Sequence, residues 1–365
     1  MHPGRWAAMM IMLVGLPPLG VLLRGGSLAP YVEFPPRSRF INHAPFSWIV
    51  FSLIAVLAIA STAPLIKGLL RHGSASTRPT AFWPFPWWGW AGVTLGAAAW
   101  GLAWTRFPWF AAWQPHTFPM LWTAFILVVN GLTLRRTGAC PLTARPYAFS
   151  VLFPVSAGFW WVFEYFNRFV QNWYYSGVEY SPATYFALAT LSFATVLPAV
   201  LSVREWLLSY PRVSNVLRGQ RIPSVFTSAT TALWALSGAC AGLVLAGAAP
   251  DYGFPFVWVS PLIIMMALQV QEGRCVPLRE ASRGHWERLA SAALAGLVCG
   301  FFWEMWNYFS LARWSYTVPF VDRFHLFEMP LLGYAGYLPF GWLCALIGDE
   351  VLFGPGKAST AMDKR

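Results

Sequence analysis

Charge is what this sequence has least of. Asp, Glu, Lys and Arg make up 11% of its 365 residues, against about 25% in an ordinary soluble domain. A chain so poor in charge cannot cover a large water-exposed surface. The five cysteines (Cys140, Cys240, Cys275, Cys299 and Cys344) form no CxxC pair, so neither a disulfide framework nor a thiolate metal site is indicated. No HxxH or ExxH spacing marks a metal or haem site. Glycine-rich phosphate loops, nucleophile elbows and Asp-rich magnesium motifs are also missing. No cofactor is therefore expected.

What the sequence has instead is length of apolar run: 57% of its residues are hydrophobic. Stretches such as 88–104, 118–134 and 226–246 reach or approach the roughly 20 residues that cross a bilayer core as helix. Helix is the expected spanning element, because lipid cannot satisfy exposed backbone groups and the alternation of a barrel strand is absent. The expectation is an all-α, polytopic transmembrane bundle of about ten helices. The spans fall near 6–23, 46–66, 87–105, 117–134, 147–169, 183–201, 225–247, 256–272, 287–311 and 328–347. The first could instead be a signal peptide, but Pro30 directly after Ser27-Leu28-Ala29 argues against cleavage.

A net charge of +11 would suggest nucleic acid in a soluble protein. Here it reads as membrane topology, with no nucleic-acid partner. With both termini cytoplasmic, 18 of the 25 Lys and Arg lie on that side. Seven lie opposite, namely Arg24, Arg37, Arg39, Arg106, Arg168, Arg313 and Arg323. A bacterial inner membrane is the expected location. Arg24, Arg37 and Arg39 run against the rule. The 22 Trp exceed what interfacial belts require.

The later chain matches itself in order. Phe118-Pro119 recurs as Phe254-Pro255, and Gly138-Ala139-Cys140 as Gly273-Arg274-Cys275. Glu164-x-x-Asn167 recurs as Glu304-x-x-Asn307, Trp173-x-Tyr175 as Trp314-x-Tyr316, and Leu197-Pro198 as Leu338-Pro339. The offset drifts from about 136 to 141 residues, as small loop insertions would cause. The expected organisation is a two-helix addition at 1–70, parallel four-helix repeats at 85–205 and 222–350, and a flexible tail at 351–365. Such repeats are related by a pseudo-two-fold axis along the membrane normal.

Ionisable groups inside spans are rare and are functional candidates by default. Glu164 and Glu304 each lie well along their helix, roughly 25 Å from its start at 1.5 Å per residue. Asn167 and Asn307 follow at i+3 on the same face. Candidate acids are Glu164, Glu304 and Glu328. Candidate ligand contacts are Asn167, Arg168, Trp173, Tyr175, Asn307, Arg313, Trp314, Tyr316 and His325. The carboxylates are expected to approach one shared cavity, with at least one carrying a proton or paired with Arg168 or Arg313. The aromatic pairs would form its rim, with His325 and Glu328 entering from the last loop. Two plainer readings stand beside this one: Glu164 could pair with Arg168 at i+4, and the Asn side chains could be interhelical glue. Glu328, before Pro330, could cap the last helix. Glu164, Glu304, Asp322 and Glu328 could also form an oxygen-ligand cation site.

The stretch 301–342, with Glu304-x-x-Asn307, Trp314-x-Tyr316 and Phe327-Glu328-Met329-Pro330-Leu331-Leu332-Gly333, resembles a group of uncharacterised bacterial membrane proteins. More distantly it is similar to carotenoid hydratase and cyclase membrane proteins. The resemblance covers about an eighth of the chain. It implies cofactor-free acid chemistry on a polyene, which needs a proton donor and aromatic faces for the developing cation. Three function classes remain open: binding or conversion of an isoprenoid-like lipid or other apolar small molecule, transport of a small substrate at the repeat interface, and a non-catalytic lipid-binding scaffold. Oligomeric state is not legible.

Overall fold

Lipid offers the backbone no hydrogen-bond partner, so apolar runs of this length close their bonds within helices. The computed structural model describes residues 1–36, 38–71 and 82–354. Arg37, the stretch 72–81 with His72, and most of the expected tail at 351–365 lie outside the described residues. In chain order the long helices are α1 (Pro3–Leu23), α2 (Trp48–Arg71), α3 (Trp87–Trp104), α4 (Thr117–Thr137) and α5 (Pro146–Val170). Then come α6 (Pro182–Phe193), α7 (Val196–Leu208), α8 (Ala229–Ala248), α9 (Pro250–Gln271), α10 (Glu287–Tyr308) and α11 (Tyr337–Phe353). Short strands β1 (Trp173–Ser176) and β2 (Arg313–Tyr316) follow α5 and α10; β3 (His325–Leu326) and β4 (Met329–Pro330) make a small hairpin before α11. The protein is an all-α, multi-pass helical bundle.

Among the described residues, nine helical segments are long and apolar enough to cross a membrane, with α6 and α7 counted as one span. α3 is the expected span outside that set. Five of its 18 residues are Trp, and each indole N–H lowers the apolarity of the run. The sixth and tenth spans end later than expected, at Leu208 and Phe353 rather than 201 and 347, and two starts also differ. α9 begins at Pro250, not near 256, because Pro250 is pre-set for a first helical turn and only Ala249 separates it from α8. α11 begins at Tyr337, not 328; the turn Leu331–Gly336 precedes it. Glu328 therefore lies in the β3–β4 hairpin and caps no helix.

The span 182–208 is broken at Ala194–Thr195. Pro198 has no N–H to offer the Ala194 carbonyl, and the adjoining pair, the Phe193 carbonyl and the Leu197 N–H, is bridged by the Ser156 hydroxyl. It donates to the Phe193 carbonyl at 2.6 Å and accepts from Leu197 N at 3.0 Å. Polar side chains of neighbouring helices re-satisfy freed backbone groups in this way. α7 is buried throughout its residues from Val196 to Arg204 and packs on α4, α5, α10 and α11. At its far end Arg204 pairs with Asp349 of α11 at 2.8 Å and with Glu205 at 3.1 Å.

Without a hydrophobic drive between helices in lipid, close approach at small residues supplies the packing. A Cβ on Gly20 of α1 would strike the Val244 carbonyl of α8, and one on Gly247 would strike Pro17. α10 and α11 repeat the device: Gly296 lies against the Tyr337 carbonyl and Gly341 against that of Ala292. α2 is the exception. Only 6% of its apolar stretch is buried, and its main neighbour is the turn Leu331–Gly336.

Candidate functional site

Asn167 and Asn307 sit in the last turns of α5 and α10, where the chain leaves the helix. Each amide clasps the backbone of the Trp that follows. Asn167 Nδ2 donates to the Trp173 carbonyl at 2.7 Å, and its Oδ1 accepts from Asn172 N at 2.8 Å and Trp173 N at 3.3 Å. Asn307 Nδ2 donates to the Trp314 carbonyl at 2.7 Å, and its Oδ1 accepts from Trp314 N at 2.8 Å. An amide presents a donor and an acceptor side by side, as a neighbouring strand would. The clasped segments then pair with each other. β1 and β2 run antiparallel, with Trp173 opposite Tyr316, Tyr174 opposite Ser315, and Tyr175 opposite Trp314.

Side chains alternate along a strand, so Trp173 and Tyr175 share one face, as do Trp314 and Tyr316. From there they reach the two buried carboxylates. Glu164 Oε1 accepts from Tyr175 Oη at 2.6 Å and from Nε1 of Trp160 and Trp173, each at 3.1 Å. Glu304 Oε1 accepts from Tyr316 Oη and Tyr337 Oη, each at 2.7 Å. Trp314 Nε1 donates to Tyr316 Oη at 2.9 Å. Glu304 Oε2 is buried without a partner. Burial, and secondarily the neighbouring carboxylate, pushes the Tyr175 and Tyr316 hydroxyls well above the ordinary tyrosine range.

The donors to the two carboxylates differ: Glu164 has three and Glu304 two. The position 140 residues after Trp160 is Gly300, and the position 141 residues before Tyr337 is Val196. Glu164 uses the Trp160 indole of α5, whereas α10 leaves a space at Gly300 that the Tyr337 ring of α11 occupies.

Neither arginine serves as expected. Arg168 donates to the Tyr31 carbonyl and makes no ion pair with Glu164, because the segment after α1 brings that carbonyl alongside. Arg313 faces Glu328 at 3.9 Å. Among the described residues no salt bridge reaches Glu164 or Glu304. His325 is exposed and pairs with Asp322 at 2.8 Å. Among the described residues no three His, Cys, Asp or Glu side chains cluster as metal ligands. Glu164, Glu304, Asp322 and Glu328 thus do not form the cation site that their composition allows.

The aromatic wall in front of the carboxylates lines a crevice of about 1090 Å³. Trp160, Trp173 and Tyr175 come from α5 and β1, and Trp314, Tyr316 and Tyr337 from β2 and α11. Glu164 and Glu304 do not line it; they stand behind the tyrosines and tryptophans that do. His325 and Glu328 are not on its wall, whereas Arg313 is. Trp160 was legible from sequence as the i−4 neighbour of Glu164 on one helix face. Tyr337 was not, since only the fold brings α11 beside α10. No protein-family model, no curated protein and no solved structure matches this chain.

Proposed function

We propose that the protein binds an isoprenoid-like apolar lipid in this crevice and acts on it by cofactor-free acid–base chemistry. One observation carries the reading: a large, mainly aromatic crevice is backed by two buried carboxyls, each joined to it by hydroxyls and indoles alone. Ligand pockets of about 300–1,000 Å³ lined by aromatic groups with a few placed polar groups are the usual form of a small-molecule site. The chemistry follows from the groups present. A proton delivered from Glu304 through the Tyr316 hydroxyl to a polyene carbon converts the double bond to a carbocation. The faces of Trp160, Trp173 and Trp314 stabilise that cation. Addition of water with loss of its proton to the carboxylate completes hydration, and loss of a proton from carbon to the carboxylate completes cyclisation; both regenerate the acid with no redox change. The resemblance of residues 301–342 to carotenoid hydratases and cyclases is in keeping with this.

Extraction of the purified protein and mass spectrometry of its lipids and pigments is the direct test. Recovery of an isoprenoid beyond bulk phospholipid is expected. Phospholipid alone, with substrate-dependent currents in liposomes, would replace this reading with transport. The distribution of Lys and Arg supports an orientation with the β1–β2 end outside, and the proposed location is a bacterial inner membrane. A reporter fused at Gly219 should then report cytoplasm; a signal from the other side reverses the orientation.

A further inference from the structure

A strap of chain, residues 39–47, leads into α2 at the β1–β2 end of the bundle, and one histidine ties it down. His43 Nδ1 lies 2.6 Å from Oδ1 of Asp251, in the first turn of α9, and its Nε2 lies 3.2 Å from the Gln171 carbonyl at the end of α5. The other carboxylate oxygen, Asp251 Oδ2, accepts from Ala44 N at 2.9 Å. A flipped ring would turn carbons towards both acceptors, which fixes its orientation. Both ring nitrogens thus face oxygens. A carbonyl can only accept, and a carboxyl can donate only when it is itself protonated. A neutral imidazole has one N–H and serves one of them. Both contacts are made together only when the ring and Asp251 jointly hold two protons, wherever the proton in the 2.6 Å contact sits. Removing one leaves a net negative charge and sets a nitrogen lone pair against an oxygen. The His43 side chain is 4% exposed, so water cannot readily replace the lost bond, whereas Asp251 at 32% gives the proton a way out.

Gln171 is the point on which the strap bears. It ends α5 in the left-handed region, with φ 47°. Its carbonyl also accepts from Oγ1 of Thr317, the residue after β2, at 3.0 Å, and its Oε1 accepts from Arg39 N at 2.7 Å. Further along, Phe320 N donates to the Ala44 carbonyl at 3.3 Å and Ser47 N donates to the Phe320 carbonyl at 2.9 Å. The Ser47 carbonyl then accepts from Phe51 N in α2, whose Ile54, Leu57 and Ser61 line the crevice. The charged and titratable groups nearby are engaged elsewhere. On the strap, Arg39 pairs with Glu33 at 3.0 Å; after β2, Arg323 lies over the Phe46 ring at 4.4 Å. On α5, Arg168 donates to the Tyr31 carbonyl, and on α9, Tyr252 packs its ring on Phe320. Among the described residues, no salt bridge but their own reaches His43 or Asp251.

We propose that the strap is a proton-dependent latch, closed while His43 and Asp251 hold two protons and loosened at the Gln171 contact when one leaves. Acid on the β1–β2 side fastens the start of α2 beside the crevice, and alkali frees it. The latch does not depend on what the crevice holds.

Hydrogen–deuterium exchange of the purified full-length protein in detergent tests this. Peptides covering residues 39–51 are read at pH of about 5 and about 8.5, either side of the range in which imidazoles change charge, with correction for intrinsic exchange rates. Protection of this stretch is expected to fall about tenfold at the higher pH, the size of one net hydrogen bond, while the interior of α10 keeps its protection. His43→Gln does not titrate in this range and should give weak protection, the same at both pH values. Arg37, outside the described residues and six before His43, is controlled for by Arg37→Gln, which should keep the pH dependence. Equal protection of the unaltered strap at both pH values would overturn the latch. Persistence of the pH dependence in His43→Gln, or its loss in Arg37→Gln, would overturn the assignment to His43.

Discussion

Tyr337 fills the space that Gly300 leaves on α10, and its hydroxyl lands 2.7 Å from Glu304 Oε1. The glycine is thus as much a part of the carboxylate's surroundings as the tyrosine. A methyl at position 300 would meet the Tyr337 ring directly. Gly300→Ala is expected to displace the ring and to destabilise the protein by about 1–3 kcal/mol through overpacking and the lost hydrogen bond. Tyr337→Phe removes the same bond without the steric clash. Thermal unfolding of both single variants and the double variant should show less than additive losses, since the second change finds the bond already gone. Full additivity would mean that Gly300 and Tyr337 act independently.

Glu304 separates a chemical role from a structural one through two substitutions. Glu304→Gln keeps an amide oxygen for Tyr316 and Tyr337 but has no carboxyl proton to give. The variant is expected to fold, to retain bound lipid and to lose conversion by at least the roughly hundredfold that general acid catalysis contributes. Glu304→Leu leaves two hydroxyls unpaired in the bundle and should lower stability by about 1–3 kcal/mol for each. Unchanged turnover in Glu304→Gln, measured as product per protein by chromatography, would remove Glu304 from the acid role.

Hydropathy made the helices legible, because a bilayer leaves an apolar run of this length little alternative. The Glu-x-x-Asn and Trp-x-Tyr elements also stood out, since polar groups in spans are rare. What they do to each other was not legible. β1 and β2 are too short to carry a strand pattern, and their pairing joins residues far apart in the chain. Arg168 looked like a partner for Glu164 at helical spacing, yet the carbonyl of Tyr31, also distant in sequence, holds it. Ser156 gave no sign that it repairs the break beside Leu197.

Asn167 and Asn307 position the aromatic pairs rather than face the crevice. Asn307→Ala should lose two hydrogen bonds to Trp314 and free the start of β2, at about 1–3 kcal/mol. Near-ultraviolet circular dichroism should weaken as the Trp ordering is lost, while far-ultraviolet helix content stays. Loss of conversion in this variant without any change in the Trp signal would instead give Asn307 a direct part in the chemistry.

Tyr175 and Tyr316 set a pH dependence whose sign follows from their surroundings. Burial and the adjacent carboxylate hold both hydroxyls well above the ordinary tyrosine value of about 10. Between that value and their folded values the unfolded chain has released protons that the folded protein still holds. Stability from these two groups is therefore complete below about pH 10 and declines as pH rises beyond it. Spectrophotometric titration should show the exposed tyrosines ionising reversibly, with Tyr175 and Tyr316 ionising only as the protein unfolds. A Tyr175→Phe, Tyr316→Phe double variant should be less stable near neutral pH, because each carboxylate loses a donor, yet should decline less steeply above pH of about 10. Reversible ionisation of both tyrosines in the folded protein near their ordinary value would contradict the cost of ionising them beside the buried carboxylates.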